Sequence, residues 1–232
     1  MKLDTFNVRE FGVSNNRVVF FFAGMGTRVG LYKKPINRMV EAGFHVIAFD
    51  FEARLVRSGE PDLWLDVGQK VSDTVKQQIK KLSTEGVKGF SCFGVSMGTL
   101  MAIKCAADNS EIKKIIINLT YGSVADNVWT WRAIKPAKTR AKQLGYTLKE
   151  LDKKLAPISP IPNASKLKGK EVLIYLARRD KVLLYTQSVQ FKDALDRAGV
   201  EYEYIENKYF GHIISGIINF KKHTVWLEFL EK

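Results

Sequence analysis

Several runs in this chain hold consecutive apolar residues with no polar partner in between, and these limit the fold more than any other feature. Val18-Val19-Phe20-Phe21-Phe22 and Ile115-Ile116-Ile117 are the clearest. A strand with one wet face alternates polar and apolar side chains, so unbroken runs of β-branched and aromatic residues predict strands covered on both faces, as in a parallel sheet. Six strands are expected, at residues 17–23, 44–49, 88–93, 113–119, 171–177 and 200–206.

Helical patterns separate most of these strands. Val67, Val71, Val75, Ile79 and Leu82 recur at spacings of four and three, with Asp66 and Gln69 placed as a capping box before them. Further helices are expected at 31–42, at 184–198 and from about 213 to the C-terminus, the last with Ile214, Ile217, Ile218, Trp226 and Phe229 turned inward. Strand and helix in alternation predict an α/β fold with a mostly parallel sheet. Residues 120–170 break the alternation with aromatics, a basic helical stretch and a proline-rich exit at Pro157, Pro160 and Pro162, and so read as an inserted segment. With 232 residues, 46% of them hydrophobic, and no linker-like stretch, one domain over 1–232 is the expectation.

No run reaches the length of a membrane helix, and Lys2, Asp4, Arg9 and Glu10 interrupt the stretch where a signal peptide would be apolar, so a cytoplasmic protein starting at Met1 is expected. Cys92 and Cys105 both fall on segments expected to be buried and read as core packing, neither disulfide nor metal ligand. The net charge of +13 is uneven: residues 132–170 hold eleven Lys and Arg against Glu150 and Asp152. Such a segment either attracts an acidic protein or an anionic membrane, or is a solvated helix face. Nucleic acid is disfavoured, since no basic stripe interleaved with stacking aromatics occurs outside this segment.

Against this background, Gly94-Val95-Ser96-Met97-Gly98 closes the third expected strand and opens an apolar helix at Thr99. A GxSxG turn between strand and helix presents a serine nucleophile, because its glycines let the two elements approach. A serine hydroxyl needs a general base and a group that orients the base. Of three histidines, His45 lies inside a strand and His223 inside the terminal helix, whereas His212 follows a strand and a glycine, in the kind of loop where an open α/β sheet places its ligands. Asp180, just past the strand 171–177, is the best orienting acid, with Asp126 in reserve; Asp50 also ends a strand but precedes the serine. Backbone N–H groups of Met97 and of Met25, in the loop Ala23-Gly24-Met25-Gly26, are the candidate oxyanion donors. Gly24, Gly26 and Gly30 do not match a dinucleotide fingerprint, and no P-loop spacing occurs.

In these residues the chain resembles the α/β-hydrolase superfamily, in the branch of small carboxylesterases and monoacylglycerol-lipase-like or acyl-thioesterase-like enzymes. The resemblance rests on the loop at Ala23 to Gly26, the elbow at Gly94 to Gly98, Arg179-Asp180-Lys181-Val182, and His212 after the last strand. It implies helices on both faces of the sheet, a small helical cap at 120–170, and no cofactor or metal. The chain departs from many relatives in having Ala23-Gly24 for His-Gly, Thr99 for a third elbow glycine, and Asp50 to Gly59 for a fuller Asp-x-Arg-Gly-x-Gly-x-Ser loop.

The resulting expectation is a serine hydrolase that cleaves a small-molecule carboxylic ester through an acyl-enzyme, with Ser96, His212 and Asp180 as triad. Tyr121, Trp129 and Trp131 stand either as walls of an acyl pocket or as packing within the inserted segment. One alternative is a thioesterase or lipase whose basic segment meets an acyl-carrier protein or anionic membrane. The other is a non-catalytic hydrolase-like binding protein.

Overall fold

The computed structural model describes residues 6–24, 26–53, 55 and 58–232. Among them one seven-stranded sheet forms, with strands in the order β1-β3-β2-β4-β5-β6-β7. These are β1 (Phe6–Phe11), β2 (Arg17–Phe22), β3 (Phe44–Phe51), β4 (Gly89–Val95), β5 (Ile112–Asn118), β6 (Glu171–Ala177) and β7 (Tyr202–Asn207). All neighbours run parallel except β1, which pairs antiparallel with β3 from Phe6 against Phe51 to Phe11 against Val46.

The apolar runs do what an unbroken pattern requires. Along β2, Val18, Phe20 and Phe22 join one hydrophobic core while Val19 and Phe21 join the other, so successive side chains serve opposite faces. The first core takes α2 (Pro61–Thr84), α3 (Gly98–Asp108) and α8 (Tyr185–Ala198); the second takes α1 (Lys33–Glu41) and α10 (His223–Glu231). Val67, Val71, Val75, Ile79 and Leu82 are all buried, as their spacing predicts.

Three expectations need correction. β1 is an unexpected strand: its Asn7, Val8, Arg9 and Glu10 are exposed, because an edge strand with solvent on both faces carries no apolar signal. The capping box at Asp66 and Gln69 does not form, since α2 already starts at Pro61, a residue suited to a first helical position; Asp66 and Gln69 instead pair one turn on, with Lys70 and Asp73. The C-terminal helix is two helices, α9 (His212–Lys221) and α10; Trp226 and Phe229 of the second are buried and Phe220 at the end of the first packs on Phe93, while Ile214 and Ile217 face out.

Residues 120–170 run between β5 and β6 as α4 (Val124–Thr130), α5 (Lys135–Gln143), α6 (Leu148–Leu155), α7 (Pro160–Asn163) and short 3-10 turns. The segment packs against α2 and α3 on the first face of the sheet. No helix among the described residues is long and apolar enough to cross a membrane.

Candidate active site

Ser96 sits between β4 and α3 with φ at 51°, in the left-handed region that a side chain other than glycine rarely adopts. Surrounding bonds hold it there. Its N–H donates to the Asn118 carbonyl at the end of β5 (2.8 Å), and its carbonyl accepts from the Thr99 N–H (3.0 Å) and hydroxyl (2.6 Å). The flanking glycines are sterically obligatory: a Cβ on Gly94 would lie 2.6 Å from Thr99 Cα, and one on Gly98 would run into the carbonyl oxygens of Phe22 and Ala23. Thr99 is wholly buried and bonds Thr120 as well.

The serine hydroxyl lies 2.8 Å from His212 Nε2, and His212 Nδ1 lies 2.6 Å from Asp180 Oδ2. The second oxygen of Asp180 accepts from the N–H groups of Val182 (2.8 Å) and Leu183 (2.9 Å), which fixes the carboxylate plane. Asp180 is buried and His212 nearly so. Just past β7, Asn207 Oδ1 accepts from the N–H groups of Tyr209 and Phe210, both at 3.1 Å, an Asx turn that aims the loop at the serine. Three predicted side chains from three separate loops thus form one hydrogen-bonded line. With the bond from serine to imidazole and from imidazole to carboxylate in place, this arrangement can draw a proton from Ser96 as its oxygen bonds to an electrophile.

The other candidates lie elsewhere. His45 is buried, with Nε2 at 3.0 Å from Glu10, and His223 opens α10. Asp126 sits in the first turn of α4, where burial and then the charge of Asp152 raise its carboxyl above the ordinary value. Asp50 holds the turn that follows β2: its carboxylate accepts from Val29 N–H (3.2 Å) and Asn7 (3.0 Å). Met97 follows Ser96 at the start of α3. Met25 lies outside the described residues, but its neighbour Gly24 comes within 3.6 Å of the Ser96 Cβ, measured from the place its own Cβ would occupy.

An apolar pocket opens beside Met97, with about 30 Å³ of free space lined by Phe51, Leu55, Trp64, Met97, Leu100, Met101 and Ile158. None of Tyr121, Trp129 and Trp131 lines it. Tyr121 is fully enclosed, and burial pushes its phenol well above the ordinary value. Trp129 packs against the core beneath Lys138 and Lys142. The segment's basic residues also have internal roles: Arg140 pairs with Glu60 (2.7 Å), Lys154 with Asp62 (2.5 Å), and buried Lys170 donates to the carbonyls of Asn109 and Ile112.

Sequence reasoning also missed a polar pair behind the site. Asn219 of α9 donates to Asn118 Oδ1 (2.8 Å), and both are buried. The residue whose carbonyl holds Ser96 is thereby tied to the helix that His212 begins. An asparagine among isoleucines in a terminal helix was the available signal.

Comparison with known proteins gives a consistent picture. The family model described as serine aminopeptidase, S33, matches residues 14–168, a span that includes Ser96 and ends before Asp180 and His212. No curated protein sequence matches the chain. Among solved structures, a carboxyl esterase from Bacillus coagulans superposes with a TM-score of 0.66 at 16% identity, over 99% of both chains. An acylaminoacyl peptidase from Pyrococcus horikoshii gives 0.70 at 17%, over 100% of this chain and 42% of that one. A puromycin-hydrolyzing peptidase from Mycobacterium tuberculosis gives 0.69 at 14%, over 93% and 34%. The chain therefore spans well under half the length of these two peptidases, and nearly all of the esterase.

Proposed function

Since the chain belongs to the serine aminopeptidase (S33) family and is a serine hydrolase of the α/β-hydrolase type, we propose that it cleaves carboxylic esters of short acyl groups, with Ser96 as nucleophile. The observation that carries this reading is the unbroken line from Ser96 Oγ through His212 to Asp180, at 2.8 and 2.6 Å.

In the proposed cycle Ser96 Oγ bonds to the acyl carbon as His212 Nε2 takes its proton, and Asp180 stabilises the imidazolium through Nδ1–H. Met97 N–H donates to the oxyanion, and Met25 N–H is the proposed second donor. His212 then protonates the departing alkoxide, leaving Ser96 acylated. A water that gives its proton to His212 attacks the acyl carbon, and Ser96 recovers its proton as the acid leaves.

The pocket beside Met97 favours an ester over a peptide N-terminus. An aminopeptidase must hold a charged α-ammonium, whereas the described residues lining this pocket are all apolar. Its small free volume favours acyl chains of few carbons.

Labelling with a fluorophosphonate probe tests the nucleophile. Wild type is expected to label, and Ser96→Ala and His212→Ala are not; labelling that persists at another serine in Ser96→Ala overturns the assignment. A panel of p-nitrophenyl esters of increasing chain length, with leucine p-nitroanilide and an acyl thioester alongside, tests the substrate class. Turnover is expected to be greatest on the shortest esters, and faster release from the anilide overturns the ester reading.

A further inference from the structure

Helix α9 turns an isoleucine stripe outward. A helix on the surface of a water-soluble protein turns its apolar stripe to the core. This one turns Ser215 and Asn219 inward, both buried, with Phe220 of its last turn packed on Phe93, and leaves Ile213, Ile214 and Ile217 at 72%, 51% and 53% exposure. The loop before it adds Tyr209 at 72% and Phe210 at 42%. Ile213 and Ile214 stand four and three positions before Ile217, which places the three isoleucines on one side of the helix. The inner polar groups are satisfied, which pins the helix in this rotation: Ser215 donates to the Phe210 carbonyl (3.1 Å) and Asn219 to Asn118 (2.8 Å).

Charge identifies what covers the strip. From residue 207 to residue 227 the chain has no Asp or Glu, while Lys208 and the pair Lys221 and Lys222 stand exposed at its two ends. A second copy docked on the same face would bring both sets of lysines together, against their mutual repulsion. A bilayer with anionic headgroups accepts every part of the pattern: aliphatic side chains below the headgroups, aromatics at their level, and lysines reaching back to phosphate.

We propose that the strip formed by Tyr209, Phe210, Ile213, Ile214 and Ile217 docks this protein on an anionic lipid surface. His212 begins the same helix, so docking turns the Ser96 site toward the bilayer and, resting on the ester reading above, makes a short-acyl ester of an alcohol anchored there the natural substrate. The docking itself does not depend on Ser96 being the nucleophile, and it uses a different surface from the basic segment 132–170.

Sedimentation with phospholipid vesicles tests this. The full-length protein is expected to sediment with phosphatidylcholine vesicles containing phosphatidylglycerol, and to bind at least tenfold more weakly to phosphatidylcholine alone or in high salt. The double variant Ile213→Ser, Ile217→Ser is expected to lose binding at least tenfold while keeping its circular dichroism spectrum and its turnover of a water-soluble ester. The pair Lys221→Glu, Lys222→Glu tests the charge separately, with the loss confined to anionic vesicles. Failure of the wild type to bind anionic vesicles overturns the proposal, and so does equal binding by the isoleucine variant. A wild-type dimer in light scattering that the isoleucine variant converts to monomer assigns the strip to self-association instead.

Discussion

Helices α3 and α9 both begin at the carboxyl edge of the sheet beside a residue of the site, Ser96 in one case and His212 in the other, and both are rich in apolar residues. Their surroundings differ. α3 lies between the sheet, α2 and residues 156–167, so every side is covered and even Lys104 is buried, paired with Asp108 at 2.6 Å. α9 is covered on one side only, where polar contacts with Asn118 and the Phe210 carbonyl sit beside the packing of Phe220 on Phe93. Apolar content therefore does not decide which way a helix faces; the layers around it do.

The largest effect that probes this contrast belongs to α3. Replacing buried Ile103 with serine removes apolar contacts and buries a hydroxyl without a partner, which costs about 4 kcal/mol. Urea unfolding is expected to show that loss as a lowered midpoint with an unchanged slope. A loss below about 1 kcal/mol would mean that α3 is not enclosed as described.

The same contrast explains what was legible in the sequence. Unbroken apolar runs required two covered faces, so the parallel sheet followed from local pattern alone, and the elbow, Asp180 and His212 followed from their places after successive strands. Features set by distant neighbours did not follow. Ile214 and Ile217 read as inward because their spacing suits a buried stripe, whereas contacts with distant residues, the Asn219 to Asn118 bond across 101 positions and the packing of Phe220 on Phe93, turn the helix the other way. Tyr121, Trp129 and Trp131 read either as pocket walls or as packing within the inserted segment, and the packing is what forms. The pocket beside Met97 is instead walled by residues from several parts of the chain, Phe51, Trp64 and Ile158 among them, which no local pattern connects. Cys92 and Cys105 were legible as core, and burial pushes both thiols far above the ordinary value. Neither is expected to react with a thiol reagent at pH 8 until the protein unfolds, and a fast-reacting thiol in the native state would contradict that packing.

A smaller effect sharpens the comparison from the α9 side. Asn219→Leu leaves Asn118 Oδ1 buried without its donor and frees the helix to rotate toward an apolar packing. The expected cost is about 2 kcal/mol of stability, with kcat lowered roughly tenfold and KM little changed, because the imidazole shifts relative to Ser96 while the pocket is untouched. Adding Asn118→Leu removes the orphaned acceptor, so the double variant is expected to regain stability without regaining rate. If kcat recovers with stability, the pair supports the fold only and does not position His212.

The smallest expected effect is the most discriminating. Ile213→Ser exchanges two residues of similar helix propensity at a position with open solvent beside it, so in dilute buffer its stability is expected to stay within about 0.5 kcal/mol of wild type. The same chemical change in α3 costs several times as much, and that ratio measures the difference in covering between the two helices. A loss in the single variant approaching that of Ile103→Ser, independent of protein concentration, would place Ile213 in a core and collapse the contrast. A loss that grows on dilution would instead show that Ile213 is covered by another copy of the chain, since only an assembly's stability depends on concentration. Stability near wild type, combined with weakened vesicle binding, fits an isoleucine whose apolar partner lies outside the fold.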